Sequence, residues 1–165
     1  MTSIIINRRY CGPPNSGNGG YVCGRLARHI SGGAEITLRT PPPLDKKLDV
    51  AATDDGLFEL RDGATVVATG RPMSVELAQL EKASFEEARA AEFATPIKPH
   101  EHPLPTCFVC GPARAPGDGL RISAGPLGRH APSGSSVFAA TWIPDANLAA
   151  EDGRVAPEFL WSALD

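Results

Sequence analysis

The first 80 residues alternate apolar and polar positions in a way that predicts one strand, one helix and then several strands. A β-branched stretch predicts the first strand over 3–7. Apolar residues at i, i+4 and i+8 then predict a buried helix over 21–30, in which Gly24 would allow close contact with a sheet. Alternating positions predict an antiparallel meander of strands over 35–39, 48–53, 57–61 and 64–72. Two Asp-Gly turns fit that meander, and the order is typical of an α+β fold.

Beyond residue 80 the pattern changes to a proline-rich connector and then to a second series of elements. A Ser-x-x-Glu capping box predicts a short helix over 84–93, and prolines then impose an extended path over 96–105. Further elements are predicted over 120–123 and 137–142 as strands, and over 158–164 as a helix opened by proline. We therefore divide the chain into a first unit over 1–80, a connector over 81–118 and a second unit over 119–165. Because the last helix is so short, we expect the second unit to be incomplete.

Composition and charge then narrow the classes of function. Apolar residues make up 42% of the chain and charged residues 21%, as in folded soluble domains. A net charge of -3 disfavours the basic surface that a nucleic-acid-binding protein needs. The early apolar run Ile4–Ile6 is too short for a signal peptide or a membrane span. We therefore expect a cytoplasmic protein whose 4 cysteines are free thiols or metal ligands.

The glycine-rich segment before the first helix is the most informative for function. It runs Asn18-Gly19-Gly20-Tyr21 into the helix. Glycines leave the first helical N–H groups unobstructed, and those groups favour negative charge. A thioester carbonyl that becomes an oxyanion would be stabilised there. The alternative is an ordinary turn from strand to helix, in which Asn18 only caps the helix.

Several segments resemble proteins of the hotdog-fold, acyl-coenzyme A thioesterase-like superfamily. The segment 18–22 is similar to the His-Gly-Gly helix start of acyl-coenzyme A thioesterases. Four others resemble actinobacterial hotdog proteins described only as thioesterase-like, namely 9–17, 107–112, 117–121 and 157–161. The resemblance implies a hotdog fold, in which an antiparallel sheet wraps around a central helix, followed by a partial second hotdog unit. It also implies binding and hydrolysis of an acyl thioester such as acyl-CoA.

The same resemblance implies roles for individual residues. The substrate-binding residues would be Gly19, Gly20 and Tyr21, with the two glycine N–H groups polarising the carbonyl. Asn18 stands where the relatives have histidine, and would orient the carbonyl or a water molecule. Hotdog thioesterases need a carboxylate as nucleophile or base, and the first helix has none. Since sites in double-hotdog relatives lie between the two units, the second helix would supply Asp165, or Glu158 in reserve.

A pair of cysteines in the connector suggests a second kind of site. Cys107 and Cys110 form a C-x-x-C motif, and His100 and His102 lie just before it. Two thiolates and two imidazoles are typical of a tetrahedral structural zinc site. The alternative is a structural turn with free thiols. A redox role fits the sequence less well, because the motif does not open a helix and a proline follows it closely.

Two other functions stay open beside thioester hydrolysis. The missing carboxylate in the first helix would suit a non-catalytic acyl- or lipid-binding module. The cysteine pair would suit a zinc-stabilised interaction protein. In each case an open sheet beside an incomplete second unit predicts a homo-oligomer, joined through the edge strand 64–72 or through the helix 21–30.

Overall fold

The structure, a computed structural model, describes residues 2–76 and 80–165 and has an α+β fold. Within these residues the helices are α1 (Gly19–Ala27), α2 (Phe85–Phe93) and α3 (Pro157–Ala163). The strands are β1 (Thr2–Ile5), β2 (Ala34–Leu38), β3 (Lys47–Ala52), β4 (Phe58–Asp62), β5 (Thr65–Pro72), β6 (Gly125–His130) and β7 (Ser136–Ala139). None of the helices within 2–76 and 80–165 is long and apolar enough to cross a membrane.

Strands β1 to β5 form one antiparallel sheet in the order β1-β3-β4-β5-β2. The predicted hairpins join β3 to β4 and β4 to β5. Gly56 and Gly63 turn these hairpins with φ values of 80° and 57°, which glycine adopts without steric cost. Alternate positions of the strands, such as Leu48 and Leu60, are fully buried. The meander of β3, β4 and β5 therefore confirms the alternating pattern.

The place of β2 differs from the predicted meander. Instead of preceding β3 in the sheet, β2 lies at the opposite edge and pairs with β5. The three prolines at 41–43 lack N–H groups and cannot close a hydrogen-bonded hairpin, so the chain crosses from one edge region to the other. As a result β5 is an interior strand with a partner on each side. The predicted oligomer contact through strand 64–72 as an edge is therefore wrong.

Helix α1 packs one face on the sheet, as the apolar spacing predicts. Val22 and Leu26 are fully buried there, and α1 contacts β2, β4 and β5. The helix starts earlier than predicted and ends at Ala27. It ends there because the N–H groups of His29 and Ile30 bond to carbonyls three residues back, which tightens the chain into a turn.

The opposite face of α1 packs against α3. A methyl group added to Gly24 would lie 2.6 Å from Cα of Glu158, and one added to Gly20 would lie 2.5 Å from the carbonyl oxygen of Trp161. The expectation that Gly24 faces a sheet is therefore wrong, since it faces a helix. Because α3 covers this face of α1, it is also not the free oligomer surface that we predicted.

Residues from all three predicted segments of the chain share one hydrophobic core. Phe108 from the connector and Phe159 from α3 lie in the same cluster as Leu26. Residues 120–123 do not form the predicted strand. Arg121 has a φ of 55°, outside the strand region, and the flanking N–H groups bond to carbonyls of the connector at Phe108 and Val109. The second sheet is instead the hairpin of β6 and β7, which packs on α2.

Candidate functional site

The site is built around the N-terminus of α1, where Asn18 is the N-cap residue. Its backbone is extended, and its side-chain Oδ1 accepts a hydrogen bond from the N–H of Tyr21 at 2.9 Å. Asn18 is only 4% exposed. The N–H groups of Gly19 and Gly20 belong to the first helical turn and have no acceptor within the helix. This end of the helix therefore presents unused donors and a partial positive charge.

Asp165, which follows α3, lies against this helix end. The Nδ2 of Asn18 donates a hydrogen bond to Oδ2 of Asp165 at 3.1 Å, across a sequence separation of 147. A methyl group on Gly19 would lie 3.2 and 3.4 Å from the two carboxylate oxygens. A negative charge is favourable at a helix N-terminus. The structure therefore brings together Asn18, Gly19 and Asp165, three residues singled out from the sequence.

The packing of α3 on α1 is what fixes the carboxylate there. Gly20 has no side chain, so the backbone of Trp161 and Ser162 approaches it directly. Ser162 is fully buried, and its hydroxyl donates to the carbonyl of Glu158 at 2.7 Å. The N–H of Asp165 then bonds to the carbonyl of Ser162 at 3.3 Å. Close contact between the two helices thus places the Asp165 side chain near Asn18.

Two cavities meet at Asp165. The smaller has a volume of about 360 Å³, and its walls include Asn18, Gly19, Cys107, Cys110, Ile122 and Asp165. The larger has a volume of about 630 Å³, and its walls include Gly20, Cys23, Val75, Leu160, Trp161 and Asp165. Both volumes lie in the range of small-molecule sites. The walls of both cavities are mainly apolar, and Asp165 is a charged residue common to both.

The reserve carboxylate, Glu158, has a different environment at the start of α3. Its side chain is 8% exposed, and it lies 3.2 Å from Nη1 of Arg28 and 4.0 Å from Nε of Arg25. Glu158 lines neither of the two cavities. It therefore acts as an ion-pair partner between α1 and α3, whereas Asp165 is the carboxylate beside the helix end.

The Tyr21 side chain packs in the core beside the site and lines neither cavity. Its ring stacks on Tyr10 at 4.1 Å between centroids and is 2% exposed. The Tyr21 hydroxyl accepts a hydrogen bond from Nη1 of Arg25 at 3.0 Å. Burial raises the pKa of Tyr21 to about 12, so the ring stays neutral. Its N–H donates to Asn18, whereas the N–H groups of Gly19 and Gly20, to which the polarising role was assigned, have no acceptor within the helix.

Cys107 and Cys110 both lie in the wall of the smaller cavity. Hydrogen bonds from the Cys110 thiol and from the N–H groups of Cys110 and Val109 lower the pKa of Cys107 to about 6. The same hydrogen bond, together with burial and the charge of Cys107, raises the pKa of Cys110. The pair therefore favours one thiolate and one thiol near neutral pH.

The two histidines do not join these cysteines. Nδ1 of His102 accepts a hydrogen bond from the N–H of Leu104 at 3.1 Å, and Nε2 of His100 lies 3.5 Å from the Glu101 carboxylate. In the part of the chain that the structure describes, no group of three or more His, Cys, Asp or Glu side chains is arranged to hold a metal ion. The predicted Cys2His2 zinc site is thus not assembled, and a structural zinc has no support.

Cys23 and Trp161 are site residues that the sequence analysis did not assign to a ligand cavity. Cys23 faces the larger cavity, and burial raises the pKa of its thiol to about 11, with the Asp165 charge adding to the effect. The spacing of Gly20 and Gly24 was the available signal, since residues four apart lie on one helix face. Two glycines on one face indicate close approach of another backbone, and that approach forms the cavity.

Searches of protein-family models, of curated proteins and of solved structures found no match to this chain. The function proposed below is therefore argued from the geometry and chemistry of the site and from the segment resemblance described above.

Proposed function

We propose that the protein is a hotdog-fold, thioesterase-like protein that binds an acyl thioester such as acyl-CoA and hydrolyses it beside Asp165. The observation that carries the proposal is the Asn18–Asp165 hydrogen bond at the N-terminus of α1, where two cavities meet. This arrangement combines a carboxylate, unused N–H donors and an apolar cavity, which are the parts that thioester hydrolysis requires.

The fold is compatible with this proposal. Helix α1 lies on a five-stranded antiparallel sheet, as the central helix of a hotdog unit would. Helix α3 lies beside α1 and supplies the carboxylate, which is the arrangement expected when a second unit completes the site of the first. The contact through Gly20 and Gly24 is thus the feature that supports a site between two units.

The larger cavity suits the acyl chain of such a substrate, because Leu160, Trp161 and Val75 form its walls. The thioester carbonyl would then lie at the α1 terminus, within reach of the N–H groups of Gly19 and Gly20. As the carbonyl oxygen gains negative charge in the transition state, these donors and the helix dipole stabilise it. The thiol-bearing carrier would leave through the smaller cavity, whose wall includes Asn18 and Gly19.

Asp165 acts as the general base in this mechanism. Its carboxylate takes a proton from a water molecule as the water oxygen bonds to the carbonyl carbon. The tetrahedral intermediate then collapses, the C–S bond breaks and the departing thiolate receives the proton from Asp165. The products are a carboxylic acid and a thiol. Since Asp165 loses its charge while the oxyanion forms, the helix end carries one negative charge throughout.

Asn18 positions this base. Its Oδ1 is fixed by the N–H of Tyr21, so its Nδ2 must point towards Asp165. Rotating the amide would lose both hydrogen bonds. Asn18 thus performs two tasks, capping the helix and orienting the carboxylate.

The experiment is to incubate the protein with acyl-coenzyme A esters of graded chain length and to measure released coenzyme A by mass spectrometry. A thiol-reactive dye would be unsuitable, because the protein has cysteines of its own. We expect turnover by the unaltered protein, and a loss on the order of 10²- to 10⁴-fold in Asp165→Asn. Asp54→Asn, at an exposed turn, is the matched control and should retain full activity. Failure of every ester to react would contradict the proposal.

A second candidate function, a non-catalytic acyl-binding module, is favoured by the volume and apolar walls of the larger cavity. Such a role needs the cavity but no base. Binding of a non-hydrolysable acyl-coenzyme A analogue, equal in the unaltered protein and in Asp165→Asn, would support it if no ester releases coenzyme A. Calorimetric titration measures that binding.

A further inference from the structure

We propose that Cys107 and Cys110 form a reactive dithiol that low-molecular-weight disulfides oxidise to an intramolecular disulfide through the smaller cavity. This activity is separate from thioester hydrolysis and does not depend on it. The sequence argued against a redox role because the motif does not open a helix. In the structure, a turn stabilises the Cys107 thiolate, as the start of a helix would.

The turn brings the two cysteines to the spacing that a disulfide needs. The carbonyl of Cys107 accepts a hydrogen bond from the N–H of Gly111 at 2.9 Å, which closes a tight turn around Cys110. Residues three apart in a tight turn have their α-carbons within about 7 Å, which overlaps the range that disulfides span. Both cysteines also line the smaller cavity.

Gly111 is what allows this turn to close. A methyl group there would lie 2.6 Å from the backbone nitrogen of Cys107 and 2.6 Å from the carbonyl oxygen of Pro105. Both neighbours are backbone atoms that cannot move aside cheaply. The glycine after the second cysteine is therefore a requirement of the turn that holds the dithiol.

Hydrogen bonding favours Cys107 as the attacking sulfur. Hydrogen bonding in the turn, chiefly to the Cys110 thiol, lowers the pKa of Cys107 to about 6, and this favours its thiolate. Cys110 keeps its proton and is half-buried, whereas Cys107 is 3% exposed. A small disulfide reaching the cavity therefore suits this pair better than a folded protein partner.

The other two cysteines are less suited to this reaction. The Cys11 sulfur is buried and lies 3.3 Å from the carbonyl oxygen of Thr106 and 3.1 Å from Nη2 of Arg114. Cys23 lines the larger cavity and is not part of a C-x-x-C sequence. Cys11 contacts Thr106 and Phe108, the residues on either side of Cys107, so the mapped cross-link must distinguish Cys107–Cys110 from a pairing with Cys11.

The reaction balances as a thiol–disulfide exchange. The Cys107 thiolate attacks one sulfur of the small disulfide, its S–S bond breaks, and one thiolate leaves. Cys110 then loses its proton to solvent and attacks the Cys107 sulfur of the mixed disulfide, which expels the second thiolate. The dithiol has lost two electrons and two protons, and the small disulfide has been reduced to two thiols.

The test is incubation of the full chain in glutathione buffers of graded oxidised-to-reduced ratio, followed by acid quenching, alkylation and mass spectrometry. We expect the protein to lose two hydrogen masses and two alkylation sites, with a cross-link within the peptide that contains residues 107–110. The mass should return to its starting value when a reductant is added. Absence of this change at every ratio would overturn the proposal.

Two variants separate the roles of the sulfurs. Cys110→Ser should accumulate a mixed disulfide with glutathione on Cys107, because the resolving thiol is missing. Cys23→Ser, the matched control, should form the internal disulfide as the unaltered protein does. If Cys107→Ser fails to fold by circular dichroism, the Cys110→Ser result still decides the matter. Glutathione attached mainly to Cys11 or Cys23 in Cys110→Ser would overturn the assignment.

Discussion

Glu158 and Asp165 are two acidic residues at opposite ends of α3, and their surroundings differ in every respect that matters for function. Glu158 is buried, and two arginines of α1 lie within 4.0 Å of its carboxylate. Asp165 is exposed, and its carboxylate contacts an amide and the start of α1 instead. One carboxylate is neutralised by cations, whereas the other faces two cavities.

The difference teaches that a carboxylate's role follows from its neighbours. A base must reach water and substrate and must exchange its proton. Glu158 can do neither while it bridges Arg25 and Arg28, so its charge serves to join α3 to α1. Asp165 meets both requirements. The predictions that follow test this division of roles, from the largest expected effect on stability to the smallest.

The comparison assumes that α1 is a fixed platform for both carboxylates, and Leu26 anchors that platform in the core. Leu26→Ala should lower the free energy of unfolding by about 2–5 kcal/mol, since a fully buried side chain leaves a cavity. Denaturant unfolding measures the loss. Leu164→Ala, at a residue that is 89% exposed, is the control and should change stability by less than about 0.5 kcal/mol. Equal midpoints for both variants would contradict the assigned core.

Glu158→Gln should destabilise the protein by about 1–3 kcal/mol, because it removes the charge that pairs with Arg25 and Arg28. Asp165→Asn keeps a hydrogen-bond acceptor for Asn18 at an exposed position and should change stability by less than about 0.5 kcal/mol. Thermal and denaturant unfolding of the two variants give both values. A larger loss in Asp165→Asn would reverse the roles that we assign.

Alanine substitutions at Gly24 and Gly19 of α1 test the contacts with Glu158 and with Asp165 separately. The added methyl of Gly24→Ala meets Cα of Glu158 at 2.6 Å, so α3 must move, at a cost of about 1–2 kcal/mol after the gain in helix propensity. The added methyl of Gly19→Ala meets the exposed Asp165 carboxylate at 3.2 Å. Stability should then stay within about 0.5 kcal/mol, while hydrolysis falls on the order of tenfold as the base is displaced. The reverse pattern would place the site at the other end.

The smallest of the destabilising effects is expected at Asn18, where the cap and the carboxylate contact can be separated. Asn18→Ala should cost about 1 kcal/mol through loss of the cap, whereas Asn18→Ser retains a capping oxygen and should cost little. Both variants lose the donor to Asp165, so both should hydrolyse acyl esters more slowly. Unfolding curves and rates measured together check this. Full activity in Asn18→Ser would show that the residue is only a cap.

The parts of the fold that could be predicted from sequence are those that local pattern determines. The apolar period of α1, the alternation in β3 to β5 and the glycines of their hairpins act over a few residues. The position of β2 and the partner of Gly24 depend on contacts between distant parts of the chain. No local pattern specifies those contacts, and there the prediction was wrong.

The site shows the same division. The cap at Asn18 and the donors of Gly19 follow from the chemistry of a helix start, so they could be found in the sequence. The proximity of Asp165 was expected only from the resemblance to double-hotdog proteins, and the structure places it at Asn18. That Cys107 and Cys110 share the same cavity was not foreseen, since it depends on the connector folding into the core.

The most direct test is the ratio of kcat/KM for Asp165→Asn to that for Glu158→Gln, measured with one acyl-coenzyme A ester on preparations that are folded by circular dichroism. We expect Asp165→Asn to lose on the order of 10²-fold or more, with Glu158→Gln retaining activity within about tenfold of the unaltered protein. The proposed division of roles predicts a ratio well below one, together with the opposite order in stability. Equal losses in the two variants, or full activity in Asp165→Asn, would contradict it.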